Sequence, residues 1–137
     1  MVKVHRKIEY SLIALKHMVQ KTPGELTTAK EIAETYKSPF DVTARVMQVL
    51  AQSGILKSEQ GAHGGYQIQR DLSKISVLDL IEIFNGPNKI AKCQNVHESC
   101  EMVDHCNIIS PINTLNTKLN HFYQSMNVKD LLFKGAS

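Results

Sequence analysis

The chain has 137 residues, of which 42% are hydrophobic and 21% are charged. These proportions are typical of one globular domain and exclude fibrous and intrinsically disordered classes. Sixteen Lys and Arg residues against 13 Asp and Glu residues leave a net charge of only +3, which allows a nucleic-acid partner without establishing one. No apolar run approaches the ~20 residues of a membrane-spanning helix, and no secretory signal follows the first basic residues. We therefore expect a cytoplasmic protein that does not contact a membrane.

The first helix is predicted by four apolar residues at spacings of four, three and four, which is the pattern of an amphipathic helix. These residues are Ile8, Leu12, Leu15 and Val19. Thr28 followed by Glu31 then forms the pattern of a capping box and predicts the start of a second helix. The apolar face of that second helix carries Ala29, Ile32, Ala33 and Tyr36.

A third helix follows the second almost at once. Ser38 as a cap with Pro39 in the first helical position predicts its start, and Ser53–Gly54 predicts its end. Its apolar face carries Val42, Val46, Val49 and Leu50. Two short helices joined by so short a turn are typical of a helix-turn-helix, although two packed helices of an ordinary helical core would have the same pattern.

A β-hairpin is predicted directly after this pair, with strand-like runs at 55–58 and 66–70. Glycines at positions 61, 64 and 65 supply the positive φ angles that a hairpin tip requires. A hairpin in this position is the wing of a winged helix-turn-helix, and it favours the DNA-binding interpretation. Ser76 then caps a further helix that ends at Asn85–Gly86.

The solvent-facing side of the third helix is predicted to contact DNA through its hydrogen-bonding side chains. Once the apolar face is removed, this side carries Asp41, Thr43, Ala44, Arg45 and Gln48. Arg45 can pair with guanine, and Gln48 or Thr43 can bind a neighbouring base edge. The other predicted contacts are Ser38 at the helix entry, Gln60, His63 and Gly64 in the wing, and Lys3 and Arg6 on phosphates. A merely solvated surface would carry the same residue types.

Three cysteines form the second functional signal: Cys93, Cys100 and Cys106 lie within 14 residues, and the rest of the chain contains none. An odd count argues against a disulfide framework, and the spacing is not that of a paired zinc site. Three thiolates on one loop can bind an iron–sulfur cluster, which generally needs a fourth ligand. The candidates for that ligand are His97, His105, His5 and Glu9. Three incidental thiols, or a thiol- or zinc-based redox site, are the alternatives.

The last helix is predicted to begin at Ser110–Pro111 and to carry an apolar seam with spacings of three and four. The seam residues are Ile112, Leu115, Leu119, Phe122 and Met126. Two heptads are enough to pack against a partner helix, so we predict a dimer contact here. The chain then divides into a winged helix-turn-helix DNA-binding domain (1–86), a cysteine-containing cluster-binding loop (87–109), and a dimerisation helix with a tail (110–137). The fold class is mainly α with one small β-hairpin.

In this order, the elements resemble the winged-helix transcription regulators that include IscR and NsrR. The resemblance rests on the Ala29-x-Glu-Ile-Ala33 helix, Ser38–Pro39, the wing Gly61-x-x-Gly64-Gly65-Tyr66, and the three-cysteine loop. It implies a homodimeric regulator that binds a double-stranded DNA operator and is not an enzyme. It also implies that the three cysteines hold a 2Fe–2S or 4Fe–4S cluster, which responds to nitric oxide, oxygen or iron supply.

Two positions depart from the pattern that the resemblance implies. The histidine ligand of IscR-like members would fall at Ile109, so the NsrR-like ligand, an acidic residue from the first helix of the other subunit, is expected at Glu9. The arginine that usually precedes the first wing glycine is Gln60 here, which shifts minor-groove contact towards His63. A regulator that uses its thiols without a cluster, and an interaction module that does not bind DNA, are the alternative functions.

Overall fold

The structure is a computed structural model, and it describes residues 5–86 and 107–133. Its helices are α1 (Arg6–Val19), α2 (Ala29–Tyr36), α3 (Phe40–Gln52), α4 (Val77–Asn85), α5 (Ile109–Ser125) and α6 (Val128–Phe133). The strands are β1 (Leu56–Glu59) and β2 (Gly65–Ile68), and a short 3-10 turn spans Leu72–Lys74. The predicted fold class is confirmed: the described residues form a mainly helical chain with one antiparallel hairpin. None of these helices has both the length and the apolar character needed to cross a membrane.

One hydrophobic core joins the N-terminal helices, the hairpin and the C-terminal tail. Leu15 of α1, Leu50 of α3, Leu80 of α4 and Val128 of α6 are all fully buried in it. The tail is also tied by backbone hydrogen bonds, because the Val128 amide donates to the Ile75 carbonyl at 2.8 Å. The C-terminal segment therefore packs into the same core as the helix-turn-helix.

The buried faces of the first two helices differ in part from the predicted ones. In α1 the buried side includes Ser11 and Met18, whereas Val19 is exposed. Because spacings of three and four both fit a helical turn, the sequence pattern could not choose between these neighbouring stripes. Ser11 is tolerated in the core because its hydroxyl donates to the Ile8 carbonyl at 2.6 Å. Tyr36 of α2 is likewise exposed, which corrects its predicted place on the apolar face.

The turn between α2 and α3 has an unusual backbone at Lys37. This residue lies in the left-handed region at φ 58° and ψ 37°, and it is the one non-glycine residue with a positive φ in the described parts of the chain. The predicted serine cap is wrong: Pro39 occupies the N-cap position, and the Ser38 hydroxyl pairs with the Thr43 hydroxyl at 2.7 Å. Ser53–Gly54 ends α3 as predicted, with Gly54 at φ 88°.

The wing is a two-stranded hairpin, and its strand β2 is also hydrogen-bonded to the segment before α2. Leu56 pairs with Ile68 and Glu59 with Gly65. β1 begins and ends one residue later than the predicted run, and β2 begins one residue earlier and ends two residues earlier. On its other edge, the Tyr66 amide donates to the Thr27 carbonyl at 2.8 Å. Gly64 does not have the predicted positive φ; it is needed because a Cβ there would lie 2.5 Å from the Glu59 carbonyl oxygen.

The two C-terminal helices are separated at Met126. This residue follows the end of α5 in an extended conformation, and its carbonyl accepts a hydrogen bond from the Val77 amide at 2.8 Å. It packs against the core rather than continuing the helical seam, which corrects its predicted place among the dimerisation residues. α4 begins and ends as predicted, with a complete capping box between Ser76 and Asp79.

The left-handed backbone at Lys37 predicts that Lys37→Gly stabilises the protein. Glycine adopts this conformation without the steric cost that a Cβ carries, and part of the gain is offset by the greater freedom of the unfolded chain. We expect the free energy of unfolding in urea to rise by about 0.5–1 kcal/mol at fixed protein concentration. Lys118→Gly, at an exposed position inside α5, is the matched control and should lower it by roughly 0.5–1 kcal/mol. Equal destabilisation by both substitutions would contradict this account.

Candidate nucleic-acid interface

The exposed side of α3 presents a short polar stripe. Asp41, Arg45 and Gln48 are exposed and lie four and three residues apart, so they share one side of the helix. Ala44 is half-exposed beside them. The stripe starts in the first turn of α3, the end by which a recognition helix enters the major groove. Its donors and acceptors are of the kinds that bind base edges.

Thr43 was predicted to lie on this exposed side, and that prediction is wrong. Its side chain is 1% exposed, and its hydroxyl pairs with that of Ser38. Position 43 belongs to the buried stripe that continues through Val46, Met47 and Leu50. These four positions are three, one and three residues apart, which is a spacing that fits one buried side of a helix. The sequence prediction instead placed Thr43 on the solvent-facing side because its hydroxyl can form hydrogen bonds. The same pairing engages the hydroxyl of Ser38, which is itself half-buried.

Phe40 is a residue of this surface that the sequence prediction missed. It is the first residue of α3, and 53% of its surface is exposed. Phe40 is seven residues before the buried Met47, so the helical pattern alone gives both the same side of the helix. In the structure Phe40 is nevertheless exposed, while Thr43 in the same turn is buried. No sequence signal would have shown this.

The wing presents Gln60 and His63 as exposed side chains, and Gly64 lies half-exposed beside them. Its charges are mixed, because the Lys57 ammonium lies 3.5 Å from the Glu59 carboxylate. Glu59 also accepts a hydrogen bond from the Gln67 side chain at 3.3 Å. The wing therefore adds little net positive charge to the surface next to α3.

A cluster of polar contacts links the end of α1, and Lys21 that follows it, to α2. One oxygen of the Glu31 carboxylate lies 2.6 Å from both the His17 Nε2 and the Lys21 Nζ atoms, and His17 Nδ1 is 2.8 Å from the Tyr36 hydroxyl. The predicted capping box is therefore only half formed. Thr28 accepts a hydrogen bond from the Glu31 amide, but the Glu31 carboxylate binds α1 instead. Partial burial alone would raise the pKa of Glu31, yet hydrogen bonds and charge from Lys21 and His17 outweigh it and lower the pKa.

Glu9 and Arg6, which were predicted for different roles, lie together on α1. Their charged groups are 3.1 Å apart, and both side chains are substantially exposed. The Arg6 guanidinium also lies 5.9 Å from the centre of the Tyr10 ring. His5 accepts a hydrogen bond from the Lys7 amide.

Within residues 5–86 and 107–133, no group of three or more metal-binding side chains is present. Lys3, Cys93, Cys100 and Cys106 lie outside the described residues.

A stripe of exposed apolar side chains runs along α5 and the residue before it. Ile108, Leu115 and Phe122 are seven residues apart and are 50%, 48% and 56% exposed. Ile112 and Leu119 are half-buried next to this stripe, towards the core. A repeat of seven residues is the spacing by which one helix packs along another.

A helix-turn-helix followed by a wing, with a polar recognition face at the start of its second helix, defines a DNA-binding regulator of transcription. Residues 4–134 match the Rrf2 family, which is described as an iron-dependent transcriptional regulator. Since this match covers nearly the whole chain, the protein belongs to the Rrf2 family. The predicted resemblance is confirmed, and so is the expectation of a regulator rather than an enzyme.

Similar proteins include several transcription regulators. A relative from Aquifex aeolicus (strain VF5), with the name of an HTH-type transcriptional regulator, is 29% identical over 127 residues, covering 91% of this chain and 88% of its own. The regulator NsrR of Bacillus subtilis (strain 168) is 28% identical over 119 residues, covering 87% and 77%. Among solved structures, CymR of B. subtilis, titled the global cysteine regulator, has a TM-score of 0.71 at 24% identity, with coverage of 96% and 97%. The IscR structure of T. potens has a TM-score of 0.68 at 24% identity, with coverage of 99% and 89%.

The lowered pKa of Glu31 predicts a pH-dependent contribution to stability. A carboxyl with a lower pKa in the folded protein stabilises the fold above its unfolded pKa, and this contribution is lost as the pH falls through the folded pKa. Since Glu31 is about one-third exposed, solvent screening limits the effect, and Glu31→Gln should cost about 0.5–1 kcal/mol at pH 7. The difference from wild type should shrink as the pH falls below the usual Glu value of 4.5.

Urea unfolding of wild type and Glu31→Gln at several pH values measures this difference. Glu34→Gln, at an exposed carboxylate on the same helix, is the control and should change little at any pH. A Glu31→Gln difference that stays constant from pH 7 to acid would show that the ion pairs are not its origin.

Proposed function

We propose that this regulator binds its operator with an affinity set by an iron–sulfur cluster. The observation that carries the proposal is the set of three cysteines, Cys93, Cys100 and Cys106, in a chain of a family described as iron-dependent. The residues 87–109 would then form the cluster-binding loop. The 28% identity to NsrR supports the same choice. The cluster type, 2Fe–2S or 4Fe–4S, is an outcome of the experiment below.

The donor atoms of this chain fit such a group. Thiolates are the usual ligands of iron–sulfur clusters, and a carboxylate would be a weaker and more easily displaced fourth ligand. Glu9 is available for that role from the partner subunit, because its carboxylate is about half exposed on α1. Its ion pair with Arg6 is a surface pair and costs at most about 1 kcal/mol to break. When bound, the cluster would supply reactivity towards nitric oxide, oxygen or changes in iron supply.

A cluster ligand at Glu9 would connect the proposed site to the DNA-binding helix through α1. α1 packs directly against α3, with Leu15 and Leu50 both fully buried in the shared core. Engaging Glu9 releases Arg6, whose guanidinium can then reach a phosphate. We propose that these two changes on α1 alter the population of DNA-binding conformations.

The functional unit is proposed to be a homodimer that packs along α5. The stripe of Ile108, Leu115 and Phe122 leaves three large apolar side chains about half exposed in the single chain, and Ile112 and Leu119 extend it. Such a contiguous apolar strip on a regulator's surface is typical of an interface. A second copy of α5 offers the same heptad spacing and would cover it.

This interface predicts that Phe122→Asp shifts the protein from dimer to monomer. A buried carboxylate without a partner is costly, so the dissociation constant should rise by tenfold or more. Light scattering across a concentration series measures the change. Thr117→Asp, at an exposed position on a different side of α5, is the matched control and should remain dimeric. A Phe122→Asp protein that stays dimeric at micromolar concentration would rule out this interface.

The operator contacts are proposed to come from the polar stripe of α3 and from the wing. Asp41, Ala44, Arg45 and Gln48 would face base edges in the major groove. Gln60, His63 and Gly64 would approach the minor groove, and Lys3 and Arg6 would bind phosphates. Thr43 and the engaged hydroxyl of Ser38 instead support the start of α3 from inside.

Arg45 is expected to contribute specificity rather than general affinity. Arg45→Ala should weaken binding to the selected operator by roughly 1–3 kcal/mol, because a guanine contact is lost. The affinity of this variant for random duplex should be almost unchanged. Competition titrations at fixed salt measure both affinities. An equal loss on operator and random DNA would reduce Arg45 to a phosphate contact.

A cluster-free thiol mechanism is the second candidate function. It is favoured by the structural similarity to CymR, which is titled the global cysteine regulator. The same three cysteines would then respond through oxidation or zinc binding. A module that does not bind DNA would show no salt-dependent affinity for duplexes.

Metal analysis of protein purified without oxygen decides between these mechanisms. We expect iron and acid-labile sulfide together with visible charge-transfer absorption. Cys100→Ala should lose both while keeping the circular dichroism and dimer of wild type, because the substitution removes one proposed thiolate ligand and leaves the core and the α5 stripe of residues 5–86 and 107–133 unchanged. Full iron and sulfide in that variant would overturn the ligand assignment, and a colourless wild type would favour the thiol mechanism.

A further inference from the structure

We infer that Phe40, together with Ala44, reads thymine methyl groups in the operator. This inference rests on the proposed recognition role of α3 and names the base that its apolar edge selects. The juxtaposition that carries it is a large exposed aromatic side chain in the first turn of the recognition helix, next to the polar stripe.

The position of Phe40 favours contact with a base rather than with the core. It is the first residue of α3 and is 53% exposed, although phenylalanine is usually buried. Side chains of a helix tilt towards its N-terminus, so the ring is directed past the end of α3 that enters the groove. Ala44, one turn further on, lies half-exposed next to it.

The two residues form an apolar edge beside a polar stripe. Asp41, Arg45 and Gln48 carry the hydrogen-bonding groups of α3. In the major groove the thymine C5-methyl is the apolar feature, and Phe and Ala are side chains that contact it. The apolar edge can therefore recognise thymine, while the polar stripe beside it binds the hydrogen-bonding edges of neighbouring bases.

The surroundings of Phe40 also favour this partner. The ring borders an open hollow of about 490 Å³ between α2 and α3, lined also by Lys30, Ala33, Glu34 and Ser38. The exposed Lys30 and Lys37 lie on the α2 side of this hollow and can contact the phosphates of a nucleic acid. An apolar edge that is flanked by charged residues suits a base methyl group better than a large apolar protein surface.

Thymine-to-uracil replacement tests this inference, because it removes only the methyl group and keeps base pairing. An operator is first selected from random duplexes with the full chain, and each thymine is then replaced in turn. We expect one position in each half-site where uracil weakens wild-type binding about three- to fivefold. Phe40→Ala should bind the thymine operator with a similar loss and should no longer distinguish thymine from uracil.

Two variants serve as controls. Phe133→Ala removes an exposed phenylalanine of α6 and should keep the wild-type preference. Phe40→Leu keeps an apolar contact and should retain part of it. The inference is overturned if wild type shows no uracil-sensitive position, or if Phe40→Ala discriminates as well as wild type. If wild type enriches no sequence at all, the recognition surface itself is wrong, which is a separate failure.

Discussion

The packing of α3 against the core is the constraint on which the other features depend. Val46, Met47 and Leu50 are buried, and this decides which side chains of α3 can reach a ligand. The same packing buries Thr43 and leaves Arg45 exposed. Because interiors are close-packed, α3 cannot rotate to present another face without losing these contacts. The identity of the recognition surface is therefore a consequence of the core.

The core also connects parts of the chain that the sequence predicted as separate regions. Val128 of α6 lies beside the elements of the winged helix, and the Met126 carbonyl is bonded to the start of α4. A dimer contact along α5 and a ligand at Glu9 of α1 would then both act on one packing unit. This arrangement gives a physical route from a proposed cluster to the DNA-binding helix, with α1 as the shared element.

Much of the fold could be predicted because helix length, capping and the glycine-rich tip are local properties. Ser76 and Gly54 illustrate this, since each acts on its own neighbours. The errors arose where distant contacts decide. Glu31 leaves its capping role because His17 and Lys21 attract its carboxylate. Met126 leaves the seam because α5 ends before it and its side chain packs, half-buried, against the core. Phe40 was missed because the helical pattern alone places it on the side of the buried Met47, whereas its exposure is decided by the packing of the whole fold. The three cysteines were identified from their spacing alone, and because they lie outside the described residues their role stays a prediction.

The most direct test compares operator affinity before and after cluster loss in one anaerobic preparation. Iron, sulfide and affinity are measured together while nitric oxide is added in steps, with random duplex as the reference. Our account predicts that operator affinity changes in parallel with the remaining cluster, while binding to random duplex changes much less. An operator affinity that stays constant while the iron and sulfide are lost would contradict it.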